Sequence, residues 1–284
     1  MKNSDYTILC RGKLFKMDEP CVMGILNVTD DSFYDGGQYT SVDKAMKRAE
    51  KIYREGAKII DIGACSTRPG AKLVSKKEEI SRLLPCVKAI RKEFPDLLIS
   101  IDTVWAEVAK ATVEAGADII NDISGGTFDS ELFRTVGELK VPYVLMHTDG
   151  KPDEMQSNTQ YEDIFRDMCK YFAEKIAILR DCGVHDIILD PGYGFAKTLE
   201  QNYLLIKRLQ EFELFDLPIL VGISRKSMIY NLLGGTPQEA LYGTIALNTW
   251  VLQNDGVKIL RVHDVKAAMD TIRVVKQIKN AKEQ

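Results

Sequence analysis

Apolar residues fall in short unbroken runs: CVMGILNV (21–28), KIIDIG (58–63), LLISID (97–102), ADIINDI (117–123), VPYVLMH (141–147), DIILD (186–190), PILVGIS (218–224) and KILRVHD (258–264). Continuous rather than alternating apolar character suits a strand covered on both faces, so each run predicts a buried strand. Helical spacing fills the intervals. Ser75 with Glu78 forms a capping box ahead of a helix whose Ile80, Leu83, Leu84, Val87 and Ile90 share one face, and Phe94-Pro95 closes it. Thr236-Pro237-Gln238-Glu239 predicts a second capped start, with proline at the first helical position and a helix running to about Gly256.

Eight strands alternating with helices imply parallel βαβ units. A closed (β/α)8 barrel and an open doubly wound sheet both satisfy that alternation. The number of runs and the lack of G-x-G-x-x-G after the first of them favour the barrel. The expected architecture is a single α/β domain over residues 1–284, a TIM barrel preceded by a short β-hairpin at residues 6–17 that turns near Arg11-Gly12. The polar stretch TDGKPDEMQSNTQ (148–160) predicts a long loop above the fifth barrel strand.

Composition narrows the partners more than the fold. A chain of 284 residues suits one barrel, which commonly needs about 250. The formal net charge of −3 removes a broad electrostatic case for nucleic acid or an anionic membrane and leaves small molecules. Six cysteines are scattered without a C-x-x-C pair, which points to reduced thiols. The first residues, MKNSDYTILCRGKLFKMDE, lack the apolar run of a signal peptide, and no run of about 18 apolar residues could span a bilayer. The cytoplasm is the expected address.

Candidate chemistry sits at the C-terminal ends of the predicted strands. In order these carry Asn27, Asp61, Asp102, Asn121 with Asp122, His147, Asp190, Ser224 with Lys226, and Arg261 with His263. In a barrel these ends converge on the face where active sites are built. A polar residue can also simply end an apolar strand, or cap the next helix, but polar groups at every end call for more. The acid-rich group Asp102, Asn121 and Asp190 suits the N–H edge of an amidine-like ring. The basic group Lys226, Arg261 and His263 suits a phosphate, at the usual phosphate position of this fold.

DDSFYDGG (30–37) and STRPG (66–70) read as loops over the site. PGYGFAKT (191–198) approaches a P-loop, but Pro191 and Ala196 stand where it needs glycines. His147, His185 and His263 lack metal-ligand spacing, so a zinc site is not expected. Cys65 lacks an evident paired base and reads as a space-filling residue.

Together, MGILNVTDDSFYDGG (23–37), DIGACSTRPG (61–70), Ile101-Asp102-Thr103, NDISGG (121–126), DPGYGFAKT (190–198), GISRKS (222–227) and RVHD (261–264) resemble the dihydropteroate synthase family of the folate pathway, the target of sulfonamides. The resemblance covers roughly residues 20–265. It implies transfer of a pterin from its diphosphate to p-aminobenzoate. Asn27 would hold Mg2+ on the diphosphate, and Arg68, Arg261 and His263 would bind its oxygens. Asp102, Asn121 and Asp190 would bind the pyrimidine edge of the pterin, with Lys226 on its carbonyl side and Arg261 stacked on its face. Phe33, Thr67, Pro69, Phe195 and Ser224 would line the p-aminobenzoate pocket. Lys226, Arg261, His263 and Arg68 would carry the catalysis, and a homodimer through the last helices would follow by analogy.

The chain departs from the family's usual pattern at Asp30 (usually Pro), Cys65 (usually Glu), Thr148 (more often Met) and Ala196 (usually Gly). Three other readings stay open on sequence alone. One is a methyltetrahydrofolate-type methyltransferase, which has no use for STRPG, SRKS or RVH. Another is a Schiff-base aldolase on Lys197 or Lys226, both of which follow rather than lie within their strands. The third is a non-catalytic pterin-binding protein.

Overall fold

The computed structural model describes residues 6–28, 41–64, 74–148 and 159–281. All eight apolar runs form strands: β3 (Cys21–Asn27), β4 (Ile59–Gly63), β5 (Leu98–Asp102), β6 (Ile119–Asp122), β7 (Tyr143–Met146), β8 (Ile187–Asp190), β9 (Ile219–Val221) and β10 (Val257–Val262). They pair in parallel in the order β10-β3-β4-β5-β6-β7-β8-β9 and close on themselves. Closure lies between the last strand and the first, with Ile259 opposite Cys21 and Val262 opposite Gly24, which an open doubly wound sheet would not show. Around the barrel run α1 (Ser41–Arg54), α2 (Lys76–Glu93), α3 (Ala106–Glu114), α4 (Leu132–Leu139), α5 (Ile164–Asp181), α6 (Leu199–Lys207), α7 (Ser227–Leu233), α8 (Leu241–Val251) and α9 (Val265–Lys279).

A strand's side chains alternate between its two faces. Outward residues such as Ile60, Ile62, Ile99, Ile101, Ile120, Leu189, Val221 and Leu260 pack under the helices. Inward residues Met23, Ile59, Leu98, Ile119, Val144, Ile188, Leu220 and Ile259 form an apolar plug low in the lumen. Two residues further along, the same inward face carries Asp61, Ser100, Asn121, Asp190 and Arg261. The barrel therefore changes from apolar to polar within one step of its pleat.

The predicted hairpin is present, as β1 (Thr7–Cys10) paired antiparallel with β2 (Lys13–Lys16). Arg11 at φ 48° and Gly12 at φ 74° make its turn, a left-handed pair of the kind that matches hairpin twist. Ile8, Cys10 and Met17 close the lumen from below. The Leu9 N–H donates to Asp186 Oδ2 at 2.7 Å, and Arg11 Nε donates to Asp118 Oδ1 at 2.6 Å, so the hairpin is pinned where it cannot reach the opposite mouth.

Helix α2 begins and ends as expected: Ser75 Oγ accepts the Glu78 N–H at 3.3 Å, and Phe94 is the C-cap. Helix α8 differs. Thr236 does bond to Glu239, with its N–H 2.9 Å and its hydroxyl 2.8 Å from Oε2, yet residues 237–240 form a turn and the helix runs only from Leu241 to Val251. The reason lies in Arg225, whose Nη1 donates to the carbonyls of Pro237 and Gln238 at 3.0 and 2.8 Å. Those are the acceptors that a helix starting at Pro237 needs for its next turn.

Candidate active site

The polar layer at the barrel mouth is organised by a residue to which the sequence reading gave no role. Asp61, at the middle of β4, is fully buried. Its Oδ1 accepts the Ser100 hydroxyl at 2.6 Å, and its Oδ2 accepts Asn121 Nδ2 at 3.0 Å and Arg261 Nε at 2.7 Å. Arg261 reaches on across the lumen, with Nη2 2.8 Å from Asp102 Oδ2. Four strands thus contribute to one charge-assisted frame, and the guanidinium is held at two of its nitrogens by two carboxylates. Such pairs are short and directional because a planar fork meets fixed acceptors.

Asp190 ends β8 on the other side of the mouth. Its Oδ1 accepts the Gly192 N–H at 2.7 Å. Gly192 adopts φ +66°, and a Cβ there would lie 2.1 Å from the His147 carbonyl oxygen; only glycine lets the chain turn back so tightly. Lys226 donates to the Tyr193 carbonyl and stands 4.4 Å above the ring of Phe195. After β9 and β10, His263 N–H donates to Ser224 Oγ at 3.1 Å, and the same hydroxyl is 3.2 Å from His263 Nδ1. Arg225, at φ 55°, clasps Asp264 through Nε and Nη2 at 2.7 and 3.0 Å and so locks these two loops together.

Burial sets the electrostatics. It raises the Asp102 carboxyl against the opposing pull of Arg261, and it raises Asp190 against Lys226. The Lys226 ammonium is pushed down to about 8 by burial, with Asp190 acting the other way. Arg261 is driven the other way: Asp61 and Asp102 outweigh its burial and keep it charged. His263 is lowered to about 4 by burial and then by Arg261, so near neutrality it is an uncharged hydrogen-bonding group. Perturbation of several ionisable groups in one concave mouth is the mark of a functional site. The arrangement offers a fixed cation, a titrating lysine, and carboxylates with oxygens left for donors.

The comparisons with known proteins agree with this geometry. The family model for pterin binding enzymes matches residues 23–263. The chain is 46% identical to the dihydropteroate synthase of Synechocystis over 256 residues, covering 89% of this chain and 88% of the relative. It is 44% identical to that of Escherichia coli K12 over 278 residues, covering 97% and 98%. The chain belongs to the dihydropteroate synthase family. Among solved structures, the Yersinia pestis dihydropteroate synthase in complex with a sulfonamide drug superimposes with a TM-score of 0.90 at 39% identity, covering 97% of this chain and 100% of that one. The Xanthomonas albilineans dihydropteroate synthase with 7,8-dihydropteroate gives 0.87 at 32%, covering 98% and 100%.

Of the residues expected from the sequence, Asp102, Asn121, Asp190, Ser224, Lys226, Arg261, His263 and Phe195 stand around this mouth, and Asn27 is exposed at the end of β3. Phe33, Thr67, Arg68 and Pro69, with Asp30 and Cys65, lie outside the described residues. Asn121 and Asp102 are not free to give a ligand all their atoms: the amide nitrogen of one serves Asp61 and one oxygen of the other serves Arg261. The expected division into separate subsites is also softened, since Ser224 bonds to His263 and Phe195 packs on Lys226. Asp122 and His147, though at strand ends, point elsewhere. Asp122 accepts the N–H groups of Ser124 and Gly126, both at 2.7 Å, and the Tyr143 hydroxyl, while His147 faces Lys197.

Two departures from the family's usual pattern have visible consequences. Ala196 sits at φ +49°, where an L side chain costs about 1–2 kcal/mol relative to the right-handed region, which gives a physical reason for a glycine there. Thr148 is buried and its hydroxyl has no partner among the described residues. Asp61 itself was detectable, because it shares inward parity with Ile59 on its own strand, as Asp102 does with Leu98 and Asn121 with Ile119.

Removing Asp61 leaves a buried guanidinium with half its pairing and strands the Ser100 and Asn121 donors. Asp61→Ala should therefore destabilise the fold by about 3–5 kcal/mol, as for other broken buried pairs. Urea denaturation measures this, and a loss under about 1 kcal/mol would remove Asp61 from the centre of the frame.

Proposed function

We infer that this chain condenses 6-hydroxymethyl-7,8-dihydropterin diphosphate with p-aminobenzoate, giving 7,8-dihydropteroate and diphosphate. The observation that carries the reading is the mouth itself: Arg261 held flat by Asp61 and Asp102, between the acceptor-rich side at Asp190 and the loops bearing Ser224, Lys226 and His263. A pterin presents an amidine-like edge of N–H donors beside a carbonyl. Asp190 suits the donors, since a carboxylate pairs with two parallel N–H groups better than any neutral acceptor does. Lys226 suits the carbonyl, and the Arg261 plane suits the ring face. Asp102 and Asn121 extend the same edge with the atoms that the frame leaves them.

In the reaction the bond between the pterin methylene and the diphosphate oxygen breaks with its electron pair leaving on diphosphate. The arylamine nitrogen supplies the pair for the new C–N bond and then loses a proton. What the protein must stabilise is charge accumulating on the departing oxygens. His263 and Arg261 are placed for that, with Arg68 expected beside them. Neutral His263 offers a donor without demanding its own counter-ion, and Ser224 holds its ring. No strong base is required, and the Ser224 hydroxyl 3.2 Å from His263 Nδ1 serves to orient the imidazole. Phe195 and Ser224, with Phe33, Thr67 and Pro69, would receive the arylamine, and sulfonamides would take the same place.

Magnesium fits the donors present. It keeps most of its waters and substrate oxygens and asks the protein for few hard ligands; among the described residues no group of three or more His, Cys, Asp or Glu side chains could cage a metal. The exposed amide of Asn27, one strand from His263, would hold Mg2+ on the diphosphate. When bound, the ion would supply positive charge to the leaving oxygens.

The chain is also proposed to act as a homodimer. Tyr242 and Trp250 on α8 are 82% and 61% exposed, and Val274 and Ile278 are exposed on α9, which packs against α8; exposed apolar groups on these two last helices are of the kind that a second copy covers. Trp250→Glu should convert a dimer to a monomer in sedimentation velocity with its fold intact; a wild-type chain that sediments as a monomer would overturn this. The cytoplasm is the proposed compartment, and the free thiols Cys10, Cys21, Cys86, Cys169 and Cys182 suit its reducing conditions. No helix among the described residues is long and apolar enough to cross a membrane.

The activity is tested by following diphosphate release when the protein meets pterin diphosphate, p-aminobenzoate and Mg2+. Lys226 gives the assay a signature. As pH rises through about 8 the ammonium loses its proton, the pterin carbonyl loses its partner, and kcat/KM for the pterin should fall. The free enzyme responds with opposite sign: a lysine held below its ordinary 10.5 costs stability while charged, so that cost is relieved between about 8 and 10.5. Lys226→Arg should remove the alkaline fall. No release of diphosphate by the wild type, or a fall that persists unchanged in Lys226→Arg, would contradict the reading.

A further inference from the structure

The segment 191–198 carries Asp190's turn at one end and Phe195 in its middle, and it has no regular secondary structure of its own. Almost every carbonyl in it is nevertheless claimed by a side chain. Tyr193 O accepts from Lys226, Ala196 O from the Tyr161 hydroxyl at 3.0 Å, and Lys197 O and Thr198 O from Asn202 Nδ2 at 3.4 and 2.7 Å. Two more, Gly192 O and Phe195 O, both accept from a single side chain, Lys197 Nζ, at 3.0 Å each, and Gly192 O also accepts the Phe195 N–H at 3.1 Å. The same ammonium is 3.1 Å from His147 Nδ1, and Lys197 is nine-tenths buried.

A buried ammonium needs acceptors close by to offset its lost hydration. Three backbone carbonyls and an imidazole lie within reach of the Lys197 ammonium, the His147 carbonyl the farthest of them at 3.5 Å; burial together with the ammonium holds His147 well below its ordinary value, so the ring is neutral with Nδ1 as acceptor. Rings of Tyr161 and Tyr171 pack on His147 at 6.1 and 4.8 Å between centroids, and the Tyr171 hydroxyl donates to Met146 O at 2.9 Å. The imidazole is therefore a fixed post at the end of β7. Gly192 stands between the two systems: its N–H is held by Asp190, its carbonyl by Lys197, and its Cα lies against the His147 carbonyl.

We propose that Lys197 is a positioning residue which, by tying the carbonyls of Gly192 and Phe195 to the His147 ring, holds the Asp190 carboxylate and the Phe195 ring where the two substrates meet them. The inference rests on the function proposed above and adds to it a buried residue that need not touch either substrate.

The position predicts a particular split. Lys197 lies on the side of the mouth bearing Asp190 and Phe195, away from His263 and Arg261, where diphosphate departs. Removing its donors should loosen both binding walls while leaving the leaving-group side intact. Lys197→Met keeps the chain length without donors, and Lys197→Gln keeps one short donor. In folded Lys197→Met, the Kd for pterin diphosphate and the KM for p-aminobenzoate should each rise about tenfold or more, with kcat at saturation within about threefold of wild type; Lys197→Gln should fall between. A purely structural lysine gives the opposite pattern, since partial unfolding lowers the active fraction, and with it kcat, at unchanged KM. If Lys197→Met does not fold, Lys197→Gln carries the test. Wild-type Kd and KM in whichever variant folds, or a fall in kcat alone, would overturn the proposal. Absence of turnover in the wild-type protein would instead count against the function on which it rests.

Discussion

The interaction on which the rest of this molecule depends is the buried pair between Asp61 and Arg261. Taking both charges out of water costs several kcal/mol per ion, and the barrel offsets that only because β4, β5, β6 and β10 deliver partners to the same point. Ser100, Asn121 and Asp102 each fill one remaining valence of the pair. The result is a guanidinium that is always charged and cannot swing, in a place where side chains of the lumen would otherwise be apolar. A barrel closed by its first and last strands is what brings Arg261 on β10 within reach of Asp102 on β5, since β3 and β4 lie between them in the sheet.

The loops inherit their order from that frame in steps. Asp190 is turned into the mouth by the tight bend at Gly192, and Lys226 reaches back to the Tyr193 carbonyl of the same bend. Ser224 and His263 brace each other, and the Arg225–Asp264 clasp fixes the chain that carries them. That clasp is also what shortens the front of α8, because Arg225 takes the carbonyls of Pro237 and Gln238. A feature of the site thus decides where the helix after α7 begins, at Leu241.

Much of this was legible beforehand. Eight apolar runs with helical intervals marked the strands, because burial on both faces leaves a strand little choice of residue, and their number favoured the barrel over an open sheet, which the pairing of the last strand with the first decides. Polar residues at the strand ends marked the mouth, and the order of seven short motifs gave the family. What pattern alone missed were relations between distant positions. Asp61 and Arg261 are 200 residues apart, and no periodicity links them; only inward parity on β4 hinted that Asp61 belonged with Asp102. The capping box at Thr236 was real as a contact but lost its helix to an arginine from another loop. Lys197 read only as part of a failed phosphate motif and as one lysine of a Schiff-base alternative, because its role is to satisfy carbonyls that a sequence does not display.

The central claim is that this polar mouth is built to receive a pterin by its N–H edge, with Asp190 as the acceptor. Asp190→Asn keeps shape and volume but presents an amide donor toward ligand donors. Isothermal titration of the folded variant with pterin diphosphate should show binding weaker by about 2–4 kcal/mol, the loss of a charge-assisted pair together with one unpaired group. Near wild-type affinity in that variant would contradict the account.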